Sequence, residues 1–258
     1  MPPLSLAVFT LWWREVTRFR RQRSRVVGSL LQPLVFWLLL GGGFSASFRP
    51  PGMPPGTGYL EYFYPGVVVL VMLFTAVFAT ISVIEDRREG FLQGVLVAPV
   101  PRTGIVLGQA LGGTTLALGQ GLLFLLLAPL VGIAITPAAL LAVVAVLACL
   151  AFALTNLGLL LAWRMESTQG FHALMNLLLI PMWLLSGAVF PLRGVPAWLV
   201  WTMYLNPLTY GMAVLRRCLS PNSAAAVGLP LGLALAITLS FAAVTLLGAT
   251  WTATRRTL

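Results

Sequence analysis

The chain has 258 residues, 59% of them hydrophobic and 9% charged, against roughly 45–50% apolar and 25% charged in soluble domains. That excludes a soluble globular protein and implies a chain that crosses a membrane several times. The net charge of +10 comes from 16 basic and 6 acidic residues, and every basic residue is arginine. The arginines cluster beside apolar runs, which reads as membrane topology and contact with anionic lipid, not as nucleic-acid binding.

Residues 4–25 place Leu4, Val8, Trp12, Val16 and Phe19 on one helical stripe and Arg14, Arg18, Arg21 and Arg25 on another, the pattern of an amphipathic helix lying on a membrane surface. Residues 26–44 are long enough to span, at about 28 Å; the run reads as an uncleaved span and not as a signal peptide. Gln32-Pro33 predicts a kink there, and Gly41-Gly42-Gly43 a loosened far end. A Pro/Gly-rich loop from Ser45 to Gly58 follows. Tyr59, Tyr62 and Tyr64 then form an aromatic belt for a second span, 61–83.

Next comes Ile84-Glu85-Asp86-Arg87-Arg88-Glu89-Gly90-Phe91, too charged to lie in lipid. Asp86 with Glu89 three residues later reads as a capping box, opening a short helix with Phe91, Leu92, Val95 and Leu96 on its apolar face and a stop before Pro99. Such a helix either docks into another protein or rests on headgroups. A third span is expected at 104–131 and a fourth at 138–163, joined by a tight turn at 132–137. The fifth begins near Phe171 and reaches Leu184-Leu185-Ser186-Gly187. Pro191, Pro196 and Pro207 forbid one continuous helix beyond it, so short re-entrant or interfacial helices are expected before a polar loop at 220–223 and a sixth span at 227–251.

With both termini inside, Arg14, Arg18, Arg20, Arg21, Arg23, Arg25, Arg87, Arg88, Arg102, Arg164, Arg255 and Arg256 are cytoplasmic, leaving Arg49, Arg193, Arg216 and Arg217 outside. That asymmetry fixes the orientation. The charged helix at 84–99 is then cytoplasmic, and the Pro-interrupted segment at 186–219 faces outward.

The predicted span interiors hold essentially no ionisable residue, whereas an ion-coupled transporter keeps one near the bilayer centre. Without lysine the chain cannot form a Walker-type phosphate loop, so an ATP-driven process would need a partner that binds the ATP. Gln32, Gln109, Gln120, Asn156, Asn176, Thr75 and Thr80 are the polar groups available to a transport path, or else to interhelical hydrogen bonds. His172, the only histidine, has no acid or cysteine at ligand spacing and reads as an interfacial polar residue. No nucleophile set assembles on the outer loops, which argues against catalysis by the chain itself. Cys149 and Cys218 are expected neither to pair nor to hold a metal.

The segment Glu85 to Phe91, followed by Leu96-Val97-Ala98-Pro99-Val100-Pro101-Arg102, resembles the first cytoplasmic loop of ABC-2 type transporter permeases. Leu185-Ser186-Gly187-Ala188-Val189-Phe190-Pro191, Pro196-Ala197-Trp198 and Asn206-Pro207-Leu208-Thr209-Tyr210 resemble that family's stretch after the fifth span. The similarity is greatest to the short permeases of daunorubicin-resistance and nodulation lipo-oligosaccharide export. It implies an all-α membrane protein of six transmembrane helices in a single domain, 1–258, with an N-terminal interfacial helix (1–25), a cytoplasmic coupling helix (84–99) and a re-entrant outer segment (186–219).

It further implies a non-enzymatic permease in the cytoplasmic membrane, without a cofactor, that pairs with a second copy as a homodimer and with two separate ATP-binding subunits. Glu85, Asp86, Arg87, Arg88, Glu89, Gly90, Phe91, Leu92, Val95 and Leu96 would then face the ATPase, which the N-terminal helix would also touch. Phe190, Pro191, Pro196, Trp198, Asn206, Pro207 and Tyr210 would form an outer gate, and Gln32, Thr75, Thr80 and Asn176 the substrate path. The sequence departs from many relatives at Gln93-Gly94, where an acidic residue is usual. Apolar span interiors favour an amphipathic or lipid-linked substrate such as a drug, glycolipid or polysaccharide over a small ion. A membrane scaffold or a lipid-modifying enzyme subunit is the alternative from another class.

Overall fold

The computed structural model describes residues 4–45, 58–97, 100–192, 194–219 and 228–255. Most of the expected 45–58 loop, the 220–223 loop, Arg49, Pro99, Arg193, Arg256 and the side chains of Arg23, Arg25 and Leu96 lie outside the described residues. The described chain forms ten α-helices: α1 (Leu4–Arg21), α2 (Arg23–Ser45), α3 (Tyr59–Arg88), α4 (Phe91–Val97), α5 (Arg102–Leu125), α6 (Pro137–Ala162), α7 (Thr168–Trp183), α8 (Ala197–Leu205), α9 (Pro207–Leu219) and α10 (Leu231–Arg255). A short 3₁₀ turn, Ala128–Val131, lies between α5 and α6. A π turn, Leu184–Ala188, ends α7.

Five helices among the described residues are long and apolar enough to cross a membrane: Val26–Phe44, Tyr59–Arg88, Pro137–Ala162, Thr168–Ala188 and Leu231–Arg255. The expected third span corresponds to α5, which has the length at 24 residues, but Gln109, Gln120 and six glycines make it less apolar than the others.

The bundle is built around α3. Its sequence is apolar on every side, the signature of a helix surrounded by others, and α2, α5, α6, α7 and α9 all pack on it. From Tyr62 to Ile84 every residue is buried except Phe74 and Phe78. At 30 residues it is about 45 Å long, well beyond a hydrocarbon core of about 30 Å. One end therefore projects, and that end carries Glu85–Arg88.

Small residues let the helices approach closely, as is usual where apolar burial alone gives little preference for helix over lipid. On α5, Gly104, Gly108 and Gly112 form a groove that receives α1. A Cβ on Gly108 would lie 2.7 Å from the Leu11 Cβ and 3.0 Å from the Val8 carbonyl, and one on Gly112 would lie 2.7 Å from the Glu15 Cβ. The Trp12 indole N–H donates to the Thr115 hydroxyl at 3.0 Å. The expected surface helix at 4–25 is thus a helix seated on α5, and it ends at Arg21 before a break at Gln22. On α10 the inward face is Ala234, Thr238, Ala242, Thr245, Ala249 and Ala253, while Leu239, Val244 and Leu247 are 60% exposed or more. Small residues inside and large apolar residues outside invert the soluble pattern and suit a lipid-facing helix.

Candidate functional site

Three places concentrate polar chemistry, and α3 links them all. The first is its projecting end. Asp86 is buried, its side chain 1% exposed. It accepts hydrogen bonds from both Arg14 terminal nitrogens, at 2.7 and 2.6 Å, and from Arg18 Nη1 at 2.7 Å. Arg18 Nη2 donates to Glu85 at 2.7 Å, and Arg14 Nη1 lies 3.1 Å from Glu15. Two arginines and three acidic residues thus form a compact cluster of charge-assisted hydrogen bonds. The hydrogen bond to Asp86 is the main reason that Arg14 is held above its usual value. Glu15 is pushed above the ordinary carboxylate range mainly by burial, while Ser82, Arg14 and Arg18 pull the other way. Arg87 donates to the Trp163 and Met165 carbonyls at 2.9 and 3.1 Å, and Arg88 to that of Glu166 at 3.0 Å. The end of α3 is thereby fastened to α1 on one side and to the C-terminal end of α6 on the other.

This corrects two expectations. Asp86 opens no helix; α3 runs through it to Arg88, because Arg14 and Arg18, some 70 residues earlier, neutralise the acids that local rules assign to a cap. Those two arginines in turn face carboxylates and not headgroups. The helix breaks instead at Glu89-Gly90, where Gly90 has φ +78°, a backbone that favours glycine after a helix end. The segment after it, α4, has only seven residues. Its expected apolar face is divided: Leu92 is buried at 2% exposure and Val95 packs partly into the core, while Phe91, Gln93, Gly94 and Val97 are exposed. Phe91 carries the Arg14 guanidinium 3.8 Å from its ring centroid. Val97, at 87% exposure, is the most exposed apolar side chain among the described residues of this end.

The second place is a cleft of about 200 Å³ between α2, α3 and α7, lined by Gln32, Phe74, Phe78, His172, Asn176 and apolar neighbours. Phe74 and Phe78, the two interruptions in the buried run of α3, both open onto it. The rings of Phe78 and His172 meet edge to face with centroids 6.0 Å apart. The structure thus brings Gln32 and Asn176 together, and adds His172, which sequence reasoning set aside for want of metal partners. Thr75 and Thr80 are elsewhere. The Thr75 hydroxyl lies 2.6 Å from Gln120 Oε1, to which Ser29 donates at 2.8 Å, so these residues tie α2, α3 and α5 together. Thr80 donates to the Val77 carbonyl at 2.9 Å and packs against Gly158.

The third place is at the opposite end of α3, where α7 breaks. Gly187 has φ +81°, and the carbonyls that lose helical partners around it are met by side chains. Arg216 donates to Tyr62, Gly187 and Ala188 carbonyls at 2.7, 2.8 and 3.3 Å, with its guanidinium 3.9 Å from the Tyr62 ring centroid. Tyr62 and Tyr59 hydroxyls donate to the Gly187 and Val189 carbonyls, and Asn206 and Thr209 to those of Met182 and Leu185. Asn206 also accepts from the Leu208 N–H, opening α9 at Pro207. Tyr210 donates to the Tyr204 carbonyl at 2.9 Å. Among the residues expected here, Asn206, Pro191 and Tyr210 are buried, Phe190 and Pro207 half-buried, Pro196 exposed at the start of α8, and Trp198 turned outward at 68% exposure. Sequence reasoning missed Arg216 as a site residue, although an arginine directly after the apolar run Met212-Ala213-Val214-Leu215 was a signal.

The family model of the ABC-2 type transporter matches residues 7–219. The putative transport permease ycf38 of Cyanophora paradoxa is 30% identical over 219 residues, covering 84% of this chain and 75% of that one. Nodulation protein J of Sinorhizobium fredii is 26% identical over 222 residues, covering 85% and 83%. ABC transporter G family member 20 of Dictyostelium discoideum is 27% identical over 165 residues, 63% of this chain and 22% of that protein.

Proposed function

The chain belongs to the ABC-2 type transporter family, and from that premise we propose that it is the membrane-spanning subunit of an ATP-driven exporter for an amphipathic or lipid-linked substrate. Two copies pair with two ATP-binding subunits in the cytoplasmic membrane. Both termini and α4 are cytoplasmic, and α5 supplies the sixth span. The observation that carries the reading is that Phe74 and Phe78, the only residues from Tyr62 to Ile84 that are not buried, open onto a cleft with Gln32, His172 and Asn176. Phenyl faces with a few hydrogen-bonding groups suit a ligand that is part apolar and part polar; among the described residues no carboxylate or arginine lines the cleft to hold an ion.

The work arrives at the other side of the same helix. Closure of the ATPase pair presses on α4 through Phe91, Gln93, Gly94, Val97 and Glu89. Leu92 anchors α4, and the ion pairs of Asp86 and Glu85 bind α3 to α1, which lies in the glycine groove of α5. The block α1–α3–α5 then moves as one against α7, and the cleft changes its access. The broken segment after α7, with Phe190, Pro191, Asn206 and Tyr210, forms the outer gate, about 36 Å from Asp86 along α3, the 24-residue rise from Tyr62.

Purification from native membranes in mild detergent tests the assignment. An ATP-binding subunit is expected at one per permease, and Val97→Asp is expected to release it while leaving the permease folded. Purification without any nucleotide-binding partner would favour a scaffold or an enzyme subunit.

A further inference from the structure

Three arginines converge where α5 begins and α6 and α10 end. Arg102 donates to the Thr254 carbonyl at 2.7 Å. Arg164 and Arg255 both lie over the Trp251 ring, their guanidinium carbons 5.8 and 4.3 Å from its centroid. Beside them is an open groove of about 590 Å³ lined by Thr103, Leu247, Gly248, Thr250, Trp251 and Thr254. Arg164 and Arg255 have no ion pair among the described residues, where Glu15, Glu85 and Asp86 pair with Arg14 and Arg18. Thr103 belongs to the first turn of α5, which has no side-chain cap and so adds the positive end of a helix dipole.

We propose that this groove is a binding site for an anionic membrane phospholipid. The phosphate sits between Arg164 and Arg255, with Arg102 adding charge behind it, and the glycerol and upper acyl chain lie along Trp251, Gly248 and Leu247. The depth fits: Trp251 is at the end of an apolar span, where tryptophan marks the headgroup level, and Leu247, one turn further in, is 66% exposed on the lipid-facing side. The chemistry fits as well, since two guanidiniums without carboxylate partners, held over one indole beside an apolar trough, match a phosphodiester joined to a hydrocarbon chain. A bound lipid would tie the ends of α6 and α10 to the start of α5, the helix that α1 rides on.

The test uses the full chain in mild detergent, stripped of lipid and titrated with dioleoyl phosphatidylglycerol or dioleoyl phosphatidylcholine, with bound lipids counted by native mass spectrometry. Phosphatidylglycerol is expected to be retained preferentially. Arg164→Gln or Arg255→Gln should each weaken that preference about fivefold, and the double variant about thirtyfold. Arg20→Gln with Arg21→Gln, exposed arginines at the end of α1, should leave it unchanged. Glycerol phosphate should not compete. The proposal is overturned if the double variant keeps the preference, if the α1 variant loses it equally, or if glycerol phosphate displaces the lipid, which would make this a site for soluble anions. Both glutamine substitutions are at exposed positions, and an unchanged melting temperature in phosphatidylcholine verifies the fold.

Discussion

Replacing Asp86 by alanine should loosen the junction on which the account depends. The carboxylate accepts three hydrogen bonds of 2.6–2.7 Å from Arg14 and Arg18, and removing one partner of a buried ion pair costs about 3–5 kcal/mol. The arginine side chains are 28% and 21% exposed, so water reclaims part of their charge and the lower end of that range, about 3 kcal/mol, applies. At roughly 2–4 °C per kcal/mol for a chain of this size, the apparent melting temperature in detergent should fall by about 6–12 °C. The assay is thermal denaturation followed by size-exclusion fluorescence. Asp86→Asn, which keeps the shape but not the charge, should fall between wild type and alanine. Arg14→Ala combined with Asp86→Ala should cost less than the sum of the two, with a coupling of about 1–3 kcal/mol. If Asp86→Ala melts with the wild type, or the two changes simply add, the clamp does not hold α1 to α3.

At the glycine groove, Gly108→Val forces atoms into Leu11 and the Val8 carbonyl and should cost roughly 1–3 kcal/mol, whereas Gly119→Ala, with open space around it, should be neutral or slightly stabilising; melting curves of the two variants check this. Glu15 titrates above its ordinary value because it is buried. Below its unfolded value, roughly pH 4.3, both folded and unfolded chains hold its proton; above it the unfolded chain releases the proton while the folded chain keeps it, so stability falls as pH rises until the raised folded value is passed. Glu15→Gln should therefore match the wild type in acid and melt higher than it near neutral pH, and a curve parallel to wild type would contradict the burial. Arg216→Met leaves the Tyr62, Gly187 and Ala188 carbonyls without their donor and should cost about 3 kcal/mol or more, with Arg216→Lys intermediate; an unchanged melting temperature would mean that the break after α7 holds itself.

The parts of this fold that the bilayer dictates were readable in the sequence. The spans expected at 26–44, 61–83, 138–163 and 227–251 coincide within a few residues with α2, the apolar part of α3, α6 and α10, because a membrane requires about 20 apolar residues per helix. The break at Leu184–Ala188 was legible too, from Gly187 and the prolines beyond it. What escaped was set by partners distant in the chain. Glu85 and Asp86 look like the start of a helix until Arg14 and Arg18 stand beside them, and Gly104, Gly108 and Gly112 look like interruptions until α1 occupies them. The cleft was half legible. Gln32 and Asn176 were candidates as lone polar groups in apolar runs, but only the packing of α2 and α7 on α3 separates them from Thr75 and Thr80, and only that packing gives His172 a place.

The central claim is that motion entering at α4 changes access to the cleft between α2, α3 and α7. The most direct measurement is the rate at which a maleimide labels Asn176→Cys, in a background with Cys149→Ser and Cys218→Ser, in the complex purified with its ATP-binding subunit. The account predicts that ATP with vanadate changes that rate at least severalfold and that Asp86→Ala abolishes the nucleotide response. Equal labelling with and without nucleotide, in a complex that hydrolyses ATP, would contradict it.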